Sequence, residues 1–125
     1  MIKPERIHSL FLLVSNLTNS SRFYQTILGS SPVHEDDNVA IFSIGDSTIM
    51  LHSVAHGIKD AILGACKSWF TFHLEVNGIQ QFWNELKSRG IDVKEIPTKK
   101  PYGVIEFGVT DPDGYQIEFV ELTKE

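Results

Sequence analysis

The 125-residue chain carries one plan twice, and that duplication limits the folds open to it more than any other feature. A β-prone apolar run over 7–14 ends at Val14, and the helical pattern behind it closes at Gly29. Val76 and Gly90 repeat the layout 62 and 61 residues later. In the first copy Leu17, Phe23, Tyr24, Ile27 and Leu28 recur at helical spacing, which predicts a helix over 18–28 with Gly29 in the left-handed position past its end. Strands are expected around 32–35, 39–44 and 47–53, with Gly45-Asp46 turning the chain between the last two. The second copy opens with Trp69 to Val76, where Phe72, Leu74 and Val76 alternate with Thr71, His73 and Glu75. Ile79, Phe82, Trp83 and Leu86 then form an i, i+3, i+4, i+7 stripe, so Phe82 and Trp83 are expected in the core. Strands near 91–95, 103–109 and 115–121 complete the unit, and Asp111-Pro112-Asp113-Gly114 is a strong turn before the last. A duplicated unit puts strand residues at corresponding positions, and a cavity shared by the halves is the expectation.

Composition narrows the function classes. A net charge of −5 argues against nucleic acid, whose phosphates call for basic patches, and fits a neutral or cationic ligand better than an anionic one. Cys66 is the single cysteine, so no intrachain disulfide forms, and a reducing cytoplasmic location is expected. The start of the chain does not read as a signal peptide, and no apolar run reaches membrane-spanning length.

Val14-Ser15-Asn16-Leu17 with Ser20, Phe23-Tyr24 and Leu28-Gly29, then Asp111-Pro112-Asp113-Gly114-Tyr115 with Ile117-Glu118-Phe119, give the chain its likeness to known proteins. On these segments it resembles the vicinal oxygen chelate superfamily, which includes glyoxalases, bleomycin-resistance proteins and extradiol dioxygenases. The resemblance implies an α+β fold of two βαβββ modules, 1–60 and 66–125 of a single domain 1–125, forming an incomplete barrel with a concave ligand cavity. It also implies a homodimer. In the metal enzymes of that group, four ligands come from the first and last strands of each module. Those positions fall on Ser9, Met50, Thr71 and Glu118, of which only Glu118 is a residue type the group uses there. A hydroxyl pair and a thioether make a poor site for a divalent ion, so no metal cofactor is expected.

Period-two counting from those positions gives the expected pocket wall. Ser9, Phe11 and Leu13 face inward from the first strand, Met50 and His52 from the fourth, and Trp69, Thr71, His73 and Glu75 from the fifth. Gln116, Glu118 and Val120 follow from the last, and Glu106 shares a face with Gly108 and Thr110. Polar groups on a curved inner face are costly unless solvated or paired, so Phe11, Met50, His52, Trp69, Thr71, His73, Glu106 and Glu118 are the candidate ligand-binding residues. The function expected is metal-free binding of a small aromatic or cationic molecule, with Trp69 and Phe11 stacking and the glutamates supplying charge. A metal-dependent lyase, isomerase or dioxygenase using His52, His73 and Glu118 as relocated ligands is the alternative. A degenerate module kept for dimerisation or regulation is a third. Strand histidines are more often solvated or hydrogen-bonded than ligating. Cys66 lies in the connector with no base brought to it, and His34 and His56 carry no readable chemistry. Tyr102-Gly103 reads as a loop over the cavity mouth or as an ordinary turn.

Overall fold

The structure is a computed structural model and describes residues 1–54 and 71–123. Trp69, Cys66 and His56 lie outside the described residues. The chain divides into two compact units, Met1–Leu63 and Gly64–Glu125. The fold is α+β, and each unit is a βαβββ module.

The first module runs β1 (Ser9–Val14), α1 (Leu17–Leu28), β2 (His34–Glu35), β3 (Val39–Ile44) and β4 (Ser47–Ser53). Its sheet has the order β1-β4-β3-β2, with β1 parallel to β4 and the other pairs antiparallel. A parallel pair needs a crossover, and α1 provides the first part of it. Asn16 starts that helix by accepting the Asn19 N–H at 3.0 Å, and Gly29 ends it at φ 68°, donating to the Gln25 carbonyl. Tyr24 and Ile27 are buried with Leu12, Val14, Ala40, Phe42, Ile49 and Leu51, all from one face of the sheet. Each such side chain contributes roughly 1.5–3 kcal/mol over leaving it exposed.

The second module repeats the plan: β5 (Thr71–Glu75), α2 (Ile79–Ser88), β6 (Thr98–Lys100), β7 (Val104–Thr110) and β8 (Gln116–Leu122). Its sheet order is β5-β8-β7-β6, again with one parallel pair, β5 and β8. Phe107 and Phe119 are cross-strand partners with ring centroids 5.3 Å apart, and Phe82 packs on them at 6.2 and 4.8 Å. The helix closes in a Schellman motif: Gly90, at φ 87°, donates to the Lys87 carbonyl and Ile91 donates to that of Leu86. Asp111 builds the turn before β8, its carboxylate accepting the N–H groups of Asp113 and Tyr115.

Two sequence expectations need correction. No strand forms over 91–95; the chain there is irregular, and the second strand of the module is Thr98–Lys100 instead. The Trp83 indole N–H donates to the Glu95 carbonyl at 2.7 Å, so a helix side chain takes a group that a strand ladder would have used. Phe82 and Trp83 are half-buried rather than fully enclosed, and Trp83 holds Lys87 Nζ 5.1 Å from its ring centre. Among the described residues no helix is long and apolar enough to cross a membrane.

Candidate functional site

The face of each sheet turned away from its helix carries the residues with chemistry. In the first module that face holds Phe11 beside Met50 and Leu13 beside His52, as parallel partners of β1 and β4. Val39 and Ile41 lie across from His52 and Met50 on β3. Phe11 is 56% exposed, and its ring lies 5.5 Å from that of His52. His52 Nδ1 is 2.6 Å from the Ser53 carbonyl. A carbonyl only accepts, so Nδ1 is the donor in this contact. Ser9 is exposed at the start of β1. The middle of the face is largely apolar, with the imidazoles of His52 and, as the partner of Ile41, His34.

The second module presents a different surface in the same frame. Register sets three rows across the sheet: Thr71–Gln116–Thr110, His73–Glu118–Gly108 and Glu75–Val120–Glu106. Directly paired residues point to the same side of a sheet, so His73 and Glu118 share this face with Glu106. It is His73, rather than Thr71, that stands alongside Glu118. In the middle row Gly108 has no side chain, and the Glu118 carboxylate leans into the space. A Cβ built on Gly108 would meet Glu118 Oε1 at 2.6 Å and Glu95 Oε1 at 3.0 Å. Those two distances keep the oxygens within about 6 Å of each other. Glu106 completes the group. Its Oε1 accepts from the Tyr102 hydroxyl at 2.6 Å, while its buried Oε2 has no hydrogen-bond partner among the described residues.

Electrostatics follow from that crowding. Partial burial pushes the Glu118 carboxyl above its ordinary range, and the negative charges of Glu95 and Glu106 push it further; His73 and Lys100 pull the other way. Tyr102 is raised as well, chiefly because its hydrogen bond to Glu106 keeps the phenol protonated. Neither of the ion pairs His34–Asp36 and Lys94–Asp92 involves Glu95, Glu106 or Glu118. A cleft of about 290 Å³ adjoins the cluster, lined by Asp92, Lys94, Glu95, Gly108, Thr110 and Gln116.

Sequence reasoning placed His73, Glu75, Glu106, Gln116 and Glu118 on this face, read Tyr102-Gly103 as a loop over the cavity mouth or an ordinary turn, and missed Glu95 and Lys100. Glu95 was hidden by the expectation of a strand over 91–95. The available signal was Gly108, since a glycine inside a strand pattern marks a close approach by other groups. Tyr102 belongs to a tight β6–β7 connection, where Gly103 donates to the Lys100 carbonyl and accepts from the N–H and hydroxyl of Thr123.

Residues 6–119 match the sequence model of the Glyoxalase/Bleomycin resistance protein/Dioxygenase superfamily. The chain belongs to that superfamily. A glyoxalase family protein from Bacillus anthracis aligns with a TM-score of 0.77 at 23% identity, covering 98% of this chain and 99% of that one. A protein from the mobile metagenome of V. Pseudocholerae aligns at 0.79 and 20%, covering 99% of each chain. A glyoxalase/bleomycin resistance protein from Catenulispora acidiphila aligns at 0.72 and 16%, covering 94% and 99%. At such identities the likeness concerns the fold alone. A comparison with curated proteins gave no match.

The metal positions of the superfamily do not suit a divalent ion in this chain. Ser9 and Thr71 offer exposed neutral hydroxyls, Met50 a thioether and Glu118 a single carboxylate. Hard and borderline cations favour imidazole and carboxylate donors. Among the described residues no three His, Cys, Asp or Glu side chains are gathered as a metal centre needs.

Proposed function

We propose that this protein binds a small organic cation with aromatic character, without a metal, and that the second module supplies the charge recognition. The observation that carries the reading is the meeting of the Glu95 and Glu118 carboxylates over Gly108, with Glu106 near enough to push Glu118 up further. The negative charges of Glu95 and Glu106 raise the cost of ionising Glu118, and a positively charged ligand relieves it. The orphaned Glu106 Oε2 needs a donor, which a ligand N–H supplies. Tyr102, 67% exposed at the same cluster, offers a ring face for stacking and for cation–π contact. The bleomycin-resistance branch of the superfamily name agrees with a binding role, and the poor donor set at the metal positions favours it over metal-assisted chemistry.

Benzamidinium, an aromatic cation with four N–H donors, is the direct probe. In buffer containing EDTA it should raise the melting temperature through native-state binding, whereas benzoate should not. Glu118→Gln and Glu106→Gln should each weaken the effect. A panel of aromatic cations without any shift, or a shift that appears only with an added divalent metal, would overturn the reading.

A further inference from the structure

The Glu95–Glu118 approach depends on two residues that carry no charge. Trp83 belongs to α2, whose Phe82 is anchored on Phe107 and Phe119, so its indole has a fixed position relative to the sheet. Its Nε1–H holds the carbonyl of Glu95 at 2.7 Å. That bond fixes an otherwise irregular stretch of chain where the Glu95 side chain reaches over β7. Gly108, the cross-strand partner of Glu118, leaves the space in which the carboxylates meet. No positive φ is recorded for Gly108, so nothing in its backbone conformation calls for glycine. The requirement is room: any side chain would displace the two carboxylates, which are flexible ends rather than backbone.

We infer that Trp83 and Gly108 are positioning residues that hold the carboxylates of Glu95 and Glu118 side by side, so that the pair engages one cationic group as a unit. This rests on the cation-binding reading and names what sets its geometry. A guanidinium-like or amidinium plane offers parallel N–H donors to two neighbouring carboxylates, whereas a quaternary ammonium offers none. Selectivity for planar N–H cations over quaternary ones is therefore a property of the pair. The other charged groups facing it are Glu106 on β7, His73 on β5 and Lys100 on β6.

The test separates positioning from binding. The side-chain carboxyl 13C resonance of Glu95 is recorded at one neutral pH, with and without Glu118→Gln, in three backgrounds: the natural chain, Trp83→Phe and Gly108→Ala. Trp83→Phe keeps a ring and removes the N–H. Gly108→Ala pushes the carboxylates apart and leaves the indole bond intact, so it serves if the first variant folds poorly. Glu118→Gln should move the Glu95 resonance clearly in the natural chain and much less in either variant. An equal movement in all three backgrounds, or no movement in the natural chain, overturns the inference whatever binds. Benzamidinium affinity is measured alongside. A roughly ten-fold loss in Trp83→Phe that vanishes when Glu95→Gln is already present supports action through Glu95. Retained carboxyl coupling with no benzamidinium binding would leave the positioning intact and sink the cation reading.

Discussion

Two buried or half-buried polar side chains have consequences that can be measured one residue at a time. Ser20 is fully buried in α1, and its hydroxyl has no hydrogen-bond partner. An unsatisfied hydroxyl costs its desolvation, and alanine is the better helix former, so Ser20→Ala should stabilise the protein by about 1 kcal/mol. The check is a urea titration in which the midpoint rises at constant slope; a drop of similar size would show the hydroxyl bonded in solution. Glu118 acts through pH. Its carboxyl titrates above the ordinary value because of partial burial and the charges of Glu95 and Glu106. The folded form then keeps this proton to higher pH than the unfolded chain does. Between the ordinary and the raised value, stability contributed by this group is lost as pH rises. Glu118→Gln removes that slope. Unfolding free energies of the two proteins should differ least in acid and diverge above the window, with the variant the more stable. Parallel curves would mean that the carboxyl is not shifted.

Among the elements, α2 shows where sequence reading succeeds and where it stops. Its stripe of Ile79, Phe82, Trp83 and Leu86 and its Gly90 stop were legible because both follow from helix geometry. Its start was not. Gly78 supplies no side-chain cap; instead Glu121, on β8, accepts the N–H groups of Gly78 and Ile79. A cap delivered from 42 residues away leaves no local pattern. The same carboxylate sits at the positive end of the helix dipole and ties α2 to the sheet. Glu121→Ala should therefore cost about 1–2 kcal/mol, at least as much as Asn16→Ala at the local cap of α1. Hydrogen exchange should quicken in the first turn of α2 before the rest of the module. A loss below that of Asn16→Ala would show the first turn served by water instead. β6 was missed for a related reason. Thr98-Lys99-Lys100 lacks apolar alternation, since an edge strand with lysines is written to discourage further pairing. Central strands such as β8 announce themselves; edges and long-range caps do not.

Across the whole molecule, one topology carries two chemistries. Both sheets place a parallel strand pair beside two antiparallel strands, and both bury aromatic and aliphatic side chains under a helix. Their opposite faces have diverged: Phe11, Leu13, Met50, Val39 and Ile41 on the first, and Glu75, Glu106, Glu118 and His73 on the second. That contrast was readable from period-two counting, because strands keep their register when the core face is so strongly apolar. The outer strands β2 and β6 have two and three residues, whereas β1 and β5 have six and five, and β1 is Ser-Leu-Phe-Leu-Leu-Val. Apolar strands at the margin of a sheet invite pairing with further chain. We propose a homodimer, in keeping with the resemblance to dimeric members of the superfamily, since closed two-fold assembly is the commonest way to cover such surfaces. Sedimentation equilibrium at micromolar concentration should return twice the chain mass. A charged substitution at exposed Phe11, Phe11→Glu, discriminates further. If the apolar face of the first module lies outside the dimer interface, the variant stays dimeric. A monomer for the natural chain would end the proposal, and a monomeric Phe11→Glu would place that face in the dimer interface.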